Sequence, residues 1–447
     1  MRLGTHVTTI TPQVPIDMGG YGARLAPATG VHDPLTARAL VLEDGPVKVG
    51  LVVADLLMFS RLQAEAIRQR ASALTGIPPG HLVVAATHTH SGPAVSSFPP
   101  FSQKVDPVYE NWVVEAAAGA LYQAVQRLEE VCAGWAMSEV EGVGGSRRAS
   151  APTAPEVASP ATMLGKTVSP DRQPLAVLSL ARPDGALRAV LVNFQCHPTV
   201  LGADNLLISA DLAGAARDAL KGLLGPDVFV AFVNGACGDV SPRFTRRAQT
   251  FGELRRLGGL LGAAAATAAL RAECRELPPG SLRVGTVEAG LPIRDLPSAE
   301  EAQEQLARMK EEWERAQATP GLPAGALRLA RTALEGAQVQ ALLALYQGEV
   351  DTRAELVGWR LNGPGEGSHF GLVTIPGELF ASLGDAIRGG GGLGCTFVAG
   401  YSGGEVGYIP DRQAYAEGGY EVLSSPFAPE AGETLASAAA NLLRSLA

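Results

Sequence analysis

The chain is 447 residues long, 46% hydrophobic and 18% charged, with 36 basic and 45 acidic side chains and a net charge of −9. That length and apolar content supply a sizeable core and exclude a disordered chain. The acidic balance excludes a nucleic-acid surface or a polybasic membrane contact. The length fits one large catalytic domain, 1–447, with a helical hairpin inserted at 298–347.

Met1–Ile10 lacks the apolar run of a signal peptide, and no stretch reaches the roughly 18 apolar residues that a spanning helix needs. The nearest, Leu257–Leu270, is Ala-rich and flanked by arginines, and reads as a core helix. Cys132, Cys196, Cys237, Cys274 and Cys395 form an odd, scattered set without CxxC spacing. Such a set reads as reduced thiols in a cytoplasmic protein without a stable membrane anchor. Cys196 and Cys237 read as small core residues.

In chain order, Ala37–Leu42 and Val47–Leu57 are predicted strands around a turn at Glu43–Pro46. Ser60–Leu74 has helical spacing, His81–Ala86 reads as a buried strand, and Val108–Leu128 as a strongly periodic helix. Ser150–Ser159 is a predicted loop. Leu175–Leu180 and Leu187–Phe194 form a strand pair across the turn Arg182–Gly185. A helix at Ala210–Leu223, a strand at Val228–Val233 and a helix at Thr250–Ala272 follow. Ser298–Tyr346 has helical spacing broken at Thr319–Pro323 and opens on a capping-box pattern, Ser298 to Glu301. It reads as an antiparallel hairpin, a surface arm or oligomer contact without chemistry. Phe370–Ile375 and Cys395–Gly400 return to strands, and no internal repeat is visible. The alternation predicts an α/β fold with a mixed, mostly buried β-sheet flanked by helices.

Chemistry concentrates where apolar strands end. THTHSGP at Thr87–Pro93 places His88 and His90 two residues apart, on one side of extended backbone. Two neutral imidazoles there can share a transition metal, or one can hold it while the other works on substrate. An inert, hydrogen-bonded pair fits the same spacing. His197 precedes a proline at the next such strand end, and Ser241 lies in Gly238-Asp-Val-Ser-Pro242. Glu378 follows Pro376-Gly377, where it could also serve as a helix cap, and Tyr408 lies beyond a glycine-rich loop. Loops at strand ends bring such residues together in open α/β sheets.

Taken as a set, THTHSGP, NFQCHPT, FVNGACGDVSP, IPGE and GYSGGEVGYIPDRQAYAEGGYE resemble the neutral ceramidase family, zinc-dependent amidases that cleave N-acyl sphingosine. The resemblance runs from about Gly4 to the C-terminus and is weakest over the hairpin. It implies one Zn²⁺ per chain on His88, His197, Glu378 and Tyr408, whereas HxH spacing alone offers both His88 and His90. It makes His90 a histidine that assists substrate and intermediate, and Ser241 the serine needed for activity. Arg147 and Tyr420 would face the reacting carbonyl, with the arginine alignment able to shift to Arg148. The implied reaction is hydrolysis of an N-acyl amide, ceramide or a smaller acyl amide, by metal-activated water. Two other readings remain open. One is a metal-free serine hydrolase using Ser241 with His90 as base. The other is a catalytically silent protein that keeps zinc for structure. Asp211 is a candidate to orient His197 or, more simply, to cap the helix that follows it. Secreted ceramidases carry a signal sequence and a C-terminal β-sandwich. Neither is read here, and the pattern fades around Glu421–Phe427, so reaction class transfers better than substrate.

Overall fold

Strands of this chain bury both faces, and alternate residues serve different cores. In Thr36–Asp44, Leu40 and Leu42 face one cluster while Ala37, Ala39 and Val41 face another. The computed structural model describes residues 1–96, 103–148, 172–322, 324–346, 352–365 and 368–447. The mixed α/β class holds, and the strands are divided among three larger sheets of five, four and four strands.

The connectivity repeats three times. Two-residue strands and single 3-10 turns aside, and in the third unit the helices Ala299–Ala318, Ala324–Leu345, Arg412–Glu417 and Tyr420–Leu423, each unit runs strand, strand, strand, helix, strand, helix. The first uses strands Arg2–Thr9, Thr36–Asp44, Val47–Ala54 and Leu82–Ala86, with helices Arg61–Thr75 and Pro107–Val125. The second uses strands Cys132–Glu141, Arg172–Ala181, Leu187–Phe194 and Phe229–Asn234, with helices Asp211–Leu224 and Phe251–Arg271. The third uses strands Leu282–Gly290, Arg353–Asn362, His369–Thr374 and Cys395–Ala399, with helices Ala381–Gly390 and Ala431–Ser445. In every unit the first three strands form an antiparallel meander, and the third pairs in parallel with the fourth. A helix bridges each parallel pair, as a crossover connection requires. The sequence carries no visible repeat because topology depends on inward and outward alternation rather than on residue identity.

All three sheets contribute to one central core. Leu51 and Val83 come from the first sheet, Leu178 and Leu191 from the second, Trp359 and Phe397 from the third. The outer face of each sheet is covered by its own two helices, giving three satellite cores. Each fully buried Leu or Phe contributes about 1.5–3 kcal/mol through area removed from water. Buried polar ties join the units. Arg217 on the second unit's Asp211–Leu224 helix makes a two-pronged contact with Asp55 of the first, at 2.5 and 2.8 Å. Asp55 is fully buried and also accepts from the backbone and hydroxyl of Thr36, each at 2.8 Å.

The Ala-rich stretch Leu257–Leu270 lies within the helix Phe251–Arg271, capped by Thr250, which packs on Asp211–Leu224. The helices approach so closely that a Cβ on Gly258 would lie 2.4 Å from Ala215 Cβ, and one on Gly262 2.6 Å from Ala219 Cβ. Gly258→Val is therefore expected to destabilise the fold by about 1–3 kcal/mol, read as a lower denaturant midpoint. Among the described residues, no helix is long and apolar enough to cross a membrane.

Several elements depart from the sequence expectations. The strands Arg2–Thr9, Cys132–Glu141, Leu282–Gly290 and Arg353–Asn362 and the helix Ala431–Ser445 were not anticipated, and the helix offered at Glu378 begins only at Ala381. The hairpin consists of Ala299–Ala318 and Ala324–Leu345, the first opening on the Ser298–Glu301 capping box. The loop expected at Ser150–Ser159 lies outside the described residues.

Candidate active site

Parallel strands end on the same side, so the third and fourth strands of each unit deliver their following loops to one end of the molecule. A ring of hydrogen bonds ties the three fourth-strand ends together. Asn234 Nδ2 donates to the Thr87 carbonyl at 3.1 Å, Gly400 N to the Asn234 carbonyl at 3.0 Å, and Ala86 N to the Tyr401 carbonyl at 3.0 Å. His88 and Tyr401 each stand two residues beyond their fourth strand, at equivalent places in the first and third units. Both are non-glycine residues with positive φ, 66° and 55°, a conformation that costs about 1–3 kcal/mol and persists where the surroundings impose it. Their rings stack at 3.9 Å.

His88, His197 and Glu378, one from each unit, converge on a buried point. His88 Nδ1 is 2.8 Å from the Leu57 carbonyl, and His197 Nδ1 is 2.6 Å from the Cys237 carbonyl. A carbonyl only accepts, so each Nδ1 carries the proton and each Nε2 presents a lone pair. Those lone pairs face Glu378 Oε2, at 3.5 Å from His88 and 3.0 Å from His197. Neither His197 Nε2 nor Glu378 Oε2 has a hydrogen-bond partner, although both atoms are buried. Buried acceptors facing one another without a proton between them call for a cation. His90 Nε2 lies 3.3 Å from His88 Nε2, and ligand nitrogens of the three histidines all lie within 4.8 Å of one another. Burial, assisted by Arg147, pushes His197 down to about 4. Burial and the neighbouring His88 push His90 well down too. The donor set, imidazole nitrogens beside a carboxylate, fits a divalent transition metal.

Glu378 does not cap the helix that follows. That helix begins at Ala381, whose N–H donates to Asp239 Oδ1 at 2.8 Å. A short parallel pairing instead sets Glu378 opposite Tyr408. Burial and the Glu378 charge push the Tyr408 phenol up. The Arg147 guanidinium lies over the Tyr408 ring at 5.9 Å and pairs with Glu421 at 3.0 Å. Arg148 turns away to Glu417 at 3.1 Å and the Gly418 carbonyl at 2.7 Å. Tyr420 meets Tyr408 edge to face at 5.7 Å. Ser241 is buried, pairs with Gly145 across a two-residue ladder, and accepts from Arg243 N at 3.4 Å. No histidine is hydrogen-bonded to Ser241 among the described residues.

Asp211 does not touch the His197 ring. Its carboxylate accepts from Val200 N and Leu201 N at 3.1 and 3.0 Å and from Leu212 N at 2.7 Å. It thus holds the loop after His197 and the start of its own helix. Cys196 and Cys237 are buried and free, and burial pushes both thiols up, which leaves them poor nucleophiles. The Cys237 sulfur lies 3.1 Å from the Tyr401 hydroxyl.

Sequence reasoning missed Tyr401, Glu405, Glu421 and Tyr21. Glu405 Oε2 is buried without a partner, and burial with the Glu378 charge pushes its carboxyl well up. Tyr21 packs its ring on His90 at 5.0 Å, and Gly20, with φ 95°, lies so close that a Cβ would sit 2.6 Å from the His90 ring. The glycine punctuation around these residues was the available signal. The hairpin is also more than a surface arm. Its second helix packs on Tyr420–Leu423, and Arg331 donates to the Gly22 carbonyl at 3.3 Å, beside the loop that carries Tyr21.

Known proteins resemble this chain in sequence profile and in fold. The sequence profile of the neutral/alkaline non-lysosomal ceramidase N-terminal domain matches residues 2–252. A crystal structure of neutral ceramidase from Pseudomonas aeruginosa is similar with a TM-score of 0.74 at 20% identity, covering 100% of this chain and 74% of that one. A ceramidase complexed with C2 is similar at 0.68 and 20% identity, with the same coverage. At that identity the likeness is one of fold. A comparison with curated protein sequences found no match. With more than half of its length under the family profile, this chain belongs to the neutral/alkaline non-lysosomal ceramidase family.

Proposed function

We propose that this protein is a zinc-dependent amidohydrolase that cleaves an N-acyl amide, acting as one catalytic unit with the hairpin inserted in it. The observation that carries the reading is the convergence of two Nε2 lone pairs and the Glu378 carboxylate with no proton to share. His88, His197 and Glu378 would hold the ion, with Tyr408 beside Glu378 as a further oxygen ligand. When bound, the ion supplies Lewis-acid polarisation of the amide carbonyl and lowers the pKa of water toward neutrality. The chain's own residues do the rest. His90, kept neutral by burial, accepts a proton from the attacking water and passes it to the leaving amine. Arg147, held cationic by Tyr408 and Glu421 against the cost of burial, stabilises negative charge on the carbonyl oxygen, with the Tyr420 hydroxyl alongside. Ser241, on the same short ladder that positions Arg147, orients the substrate.

The test is metal content together with turnover. The purified chain is expected to hold close to one zinc, to lose amide hydrolysis on chelation and to regain it with added Zn²⁺. In His90→Ala the metal content should persist while turnover falls. Hydrolysis that survives chelation, with Ser241 labelled by a fluorophosphonate, would replace this reading with a serine hydrolase. Inactivity of the zinc-loaded chain across a panel of acyl amides would leave only a structural ion.

A further inference from the structure

Tyr401 is 2% exposed and touches all three segments that carry the converging His88, His197 and Glu378. Its backbone N–H donates to the Gly377 carbonyl at 3.4 Å, next to Glu378, and its carbonyl accepts from Ala86 N at 3.0 Å, two residues before His88. Its ring lies on His88 at 3.9 Å with the planes 22° apart, and the His197 ring stands at 6.3 Å, turned by 85°. Its hydroxyl meets the Cys237 sulfur at 3.1 Å, and the carbonyl of that same cysteine holds His197 Nδ1 at 2.6 Å. The sulfur lies 3.5 Å from Asn234 Oδ1, and Asn234 Nδ2 donates to the Thr87 carbonyl at 3.1 Å. The single thiol proton goes to Asn234 Oδ1, which leaves the sulfur to accept from the phenol. A buried chain of contacts thus closes behind the site, from Thr87 through Asn234, Cys237 and Tyr401 back to His88.

The hydrogen bonds from the two Nδ1 atoms do not aim the imidazoles by themselves. A ring pinned at one corner still swings about χ2, a torsion with broad wells, and Nε2 swings with it. A flat aromatic face laid on His88 removes that swing, whereas an aliphatic side chain of similar volume would fill the space without fixing the plane. The two rings meet because His88 and Tyr401 both take left-handed backbone, with φ of 66° and 55°, a conformation uncommon for either residue. The π face of a phenol also favours an electron-poor partner. The stack therefore strengthens once the His88 lone pair is given to a cation.

We propose that Tyr401 is a positioning residue for both imidazoles: its ring fixes the plane of His88, and its hydroxyl, through Cys237, fixes the carbonyl that orients His197. Contacts of this kind set metal affinity without touching the ion. The inference rests on the metal centre of the reading above and is independent of its amide chemistry.

The test is zinc affinity by chelator competition on the full chain, in wild type, Tyr401→Leu, Tyr401→Phe and Cys237→Ala. Tyr401→Leu is expected to weaken zinc binding by about 10–100-fold. Tyr401→Phe keeps the stack and loses only the hydroxyl, so it and Cys237→Ala should each weaken binding by about two- to tenfold. The double variant Tyr401→Phe/Cys237→Ala should bind no more weakly than either single one, because both remove the same contact. A side chain that merely fills the core would instead lower the denaturant midpoint of the chelator-treated protein and leave the zinc affinity of the folded chain unchanged. Zinc held as tightly by both Tyr401 variants as by wild type would overturn the proposal. So would losses in Tyr401→Phe and Cys237→Ala that multiply in the double variant, a comparison that stands even where Tyr401→Leu does not fold. Wild type that takes up no zinc would end the metal-centre reading itself, whereas tight zinc in every variant would end this inference alone.

Discussion

His88→Ala is expected to lower amide hydrolysis by about a thousandfold or more, roughly 4 kcal/mol at the barrier, and to abolish stoichiometric metal binding. The size follows from what the substitution removes. His88 Nε2 is one of two imidazole lone pairs directed at Glu378, and its ring is held from behind by the Leu57 carbonyl and the stacked Tyr401. His90 Nε2 lies 3.3 Å from the same atom, its ring plane turned by 83°, and the loss of His88 leaves His197 and Glu378 without the imidazole held by the Leu57 carbonyl. Glu378→Gln keeps the volume and removes the charge, and should likewise lower metal occupancy. Turnover and metal analysis on the same preparations decide the matter: a His88→Ala protein with full metal and near-normal rate would end the metal-centre reading.

Arg217→Met is expected to destabilise the fold by about 3–5 kcal/mol without altering any group at the site. Asp55 would be left ionised, fully buried and without its cation, with only Thr36 and the more distant Arg38 to compensate. The double variant Asp55→Asn/Arg217→Met should recover a substantial part of that loss, since it strands no charge. Denaturant midpoints of the two single variants and the double variant give the coupling. The pH dependence has a definite sign. Against the cost of burial, Arg217 holds the folded Asp55 carboxyl below its ordinary value. Its contribution is therefore complete above the unfolded carboxyl's pKa of about 3.9 and is lost as pH falls through the folded value. Wild type should lose stability on acidification in that window, and the double variant should lose less.

The readable parts of this fold are those whose burial is total. Leu82–Ala86 and Phe229–Asn234 are buried along their whole length and stand out as apolar runs. Cys132–Glu141 and Leu282–Gly290 are strands with several exposed or half-buried positions, so their apolar contrast is weak and they escaped notice. The helices Ala381–Gly390 and Ala431–Ser445 do carry apolar stripes, Leu383 with Ile387 and Leu435 with Leu442 and Leu443, but small Ala and Gly residues surround them and the stripes escaped notice. Helix boundaries were clearest where capping chemistry is local, as at Ser60 with Gln63 and Ser298 with Glu301.

Sequence alone determined the α/β class, the strand-end position of His88, His197 and Glu378, and the family to which those motifs point. These are local properties: an apolar run, a histidine two residues beyond it, a Pro-Gly pair before a carboxylate. Only the tertiary structure decided that three units of unlike sequence share one connectivity, that Tyr401 backs His88, and that the hairpin forms part of the site's rim. Those outcomes depend on which strand ends close around a common core, and closure is set by the summed packing of residues hundreds of positions apart, which no local pattern records.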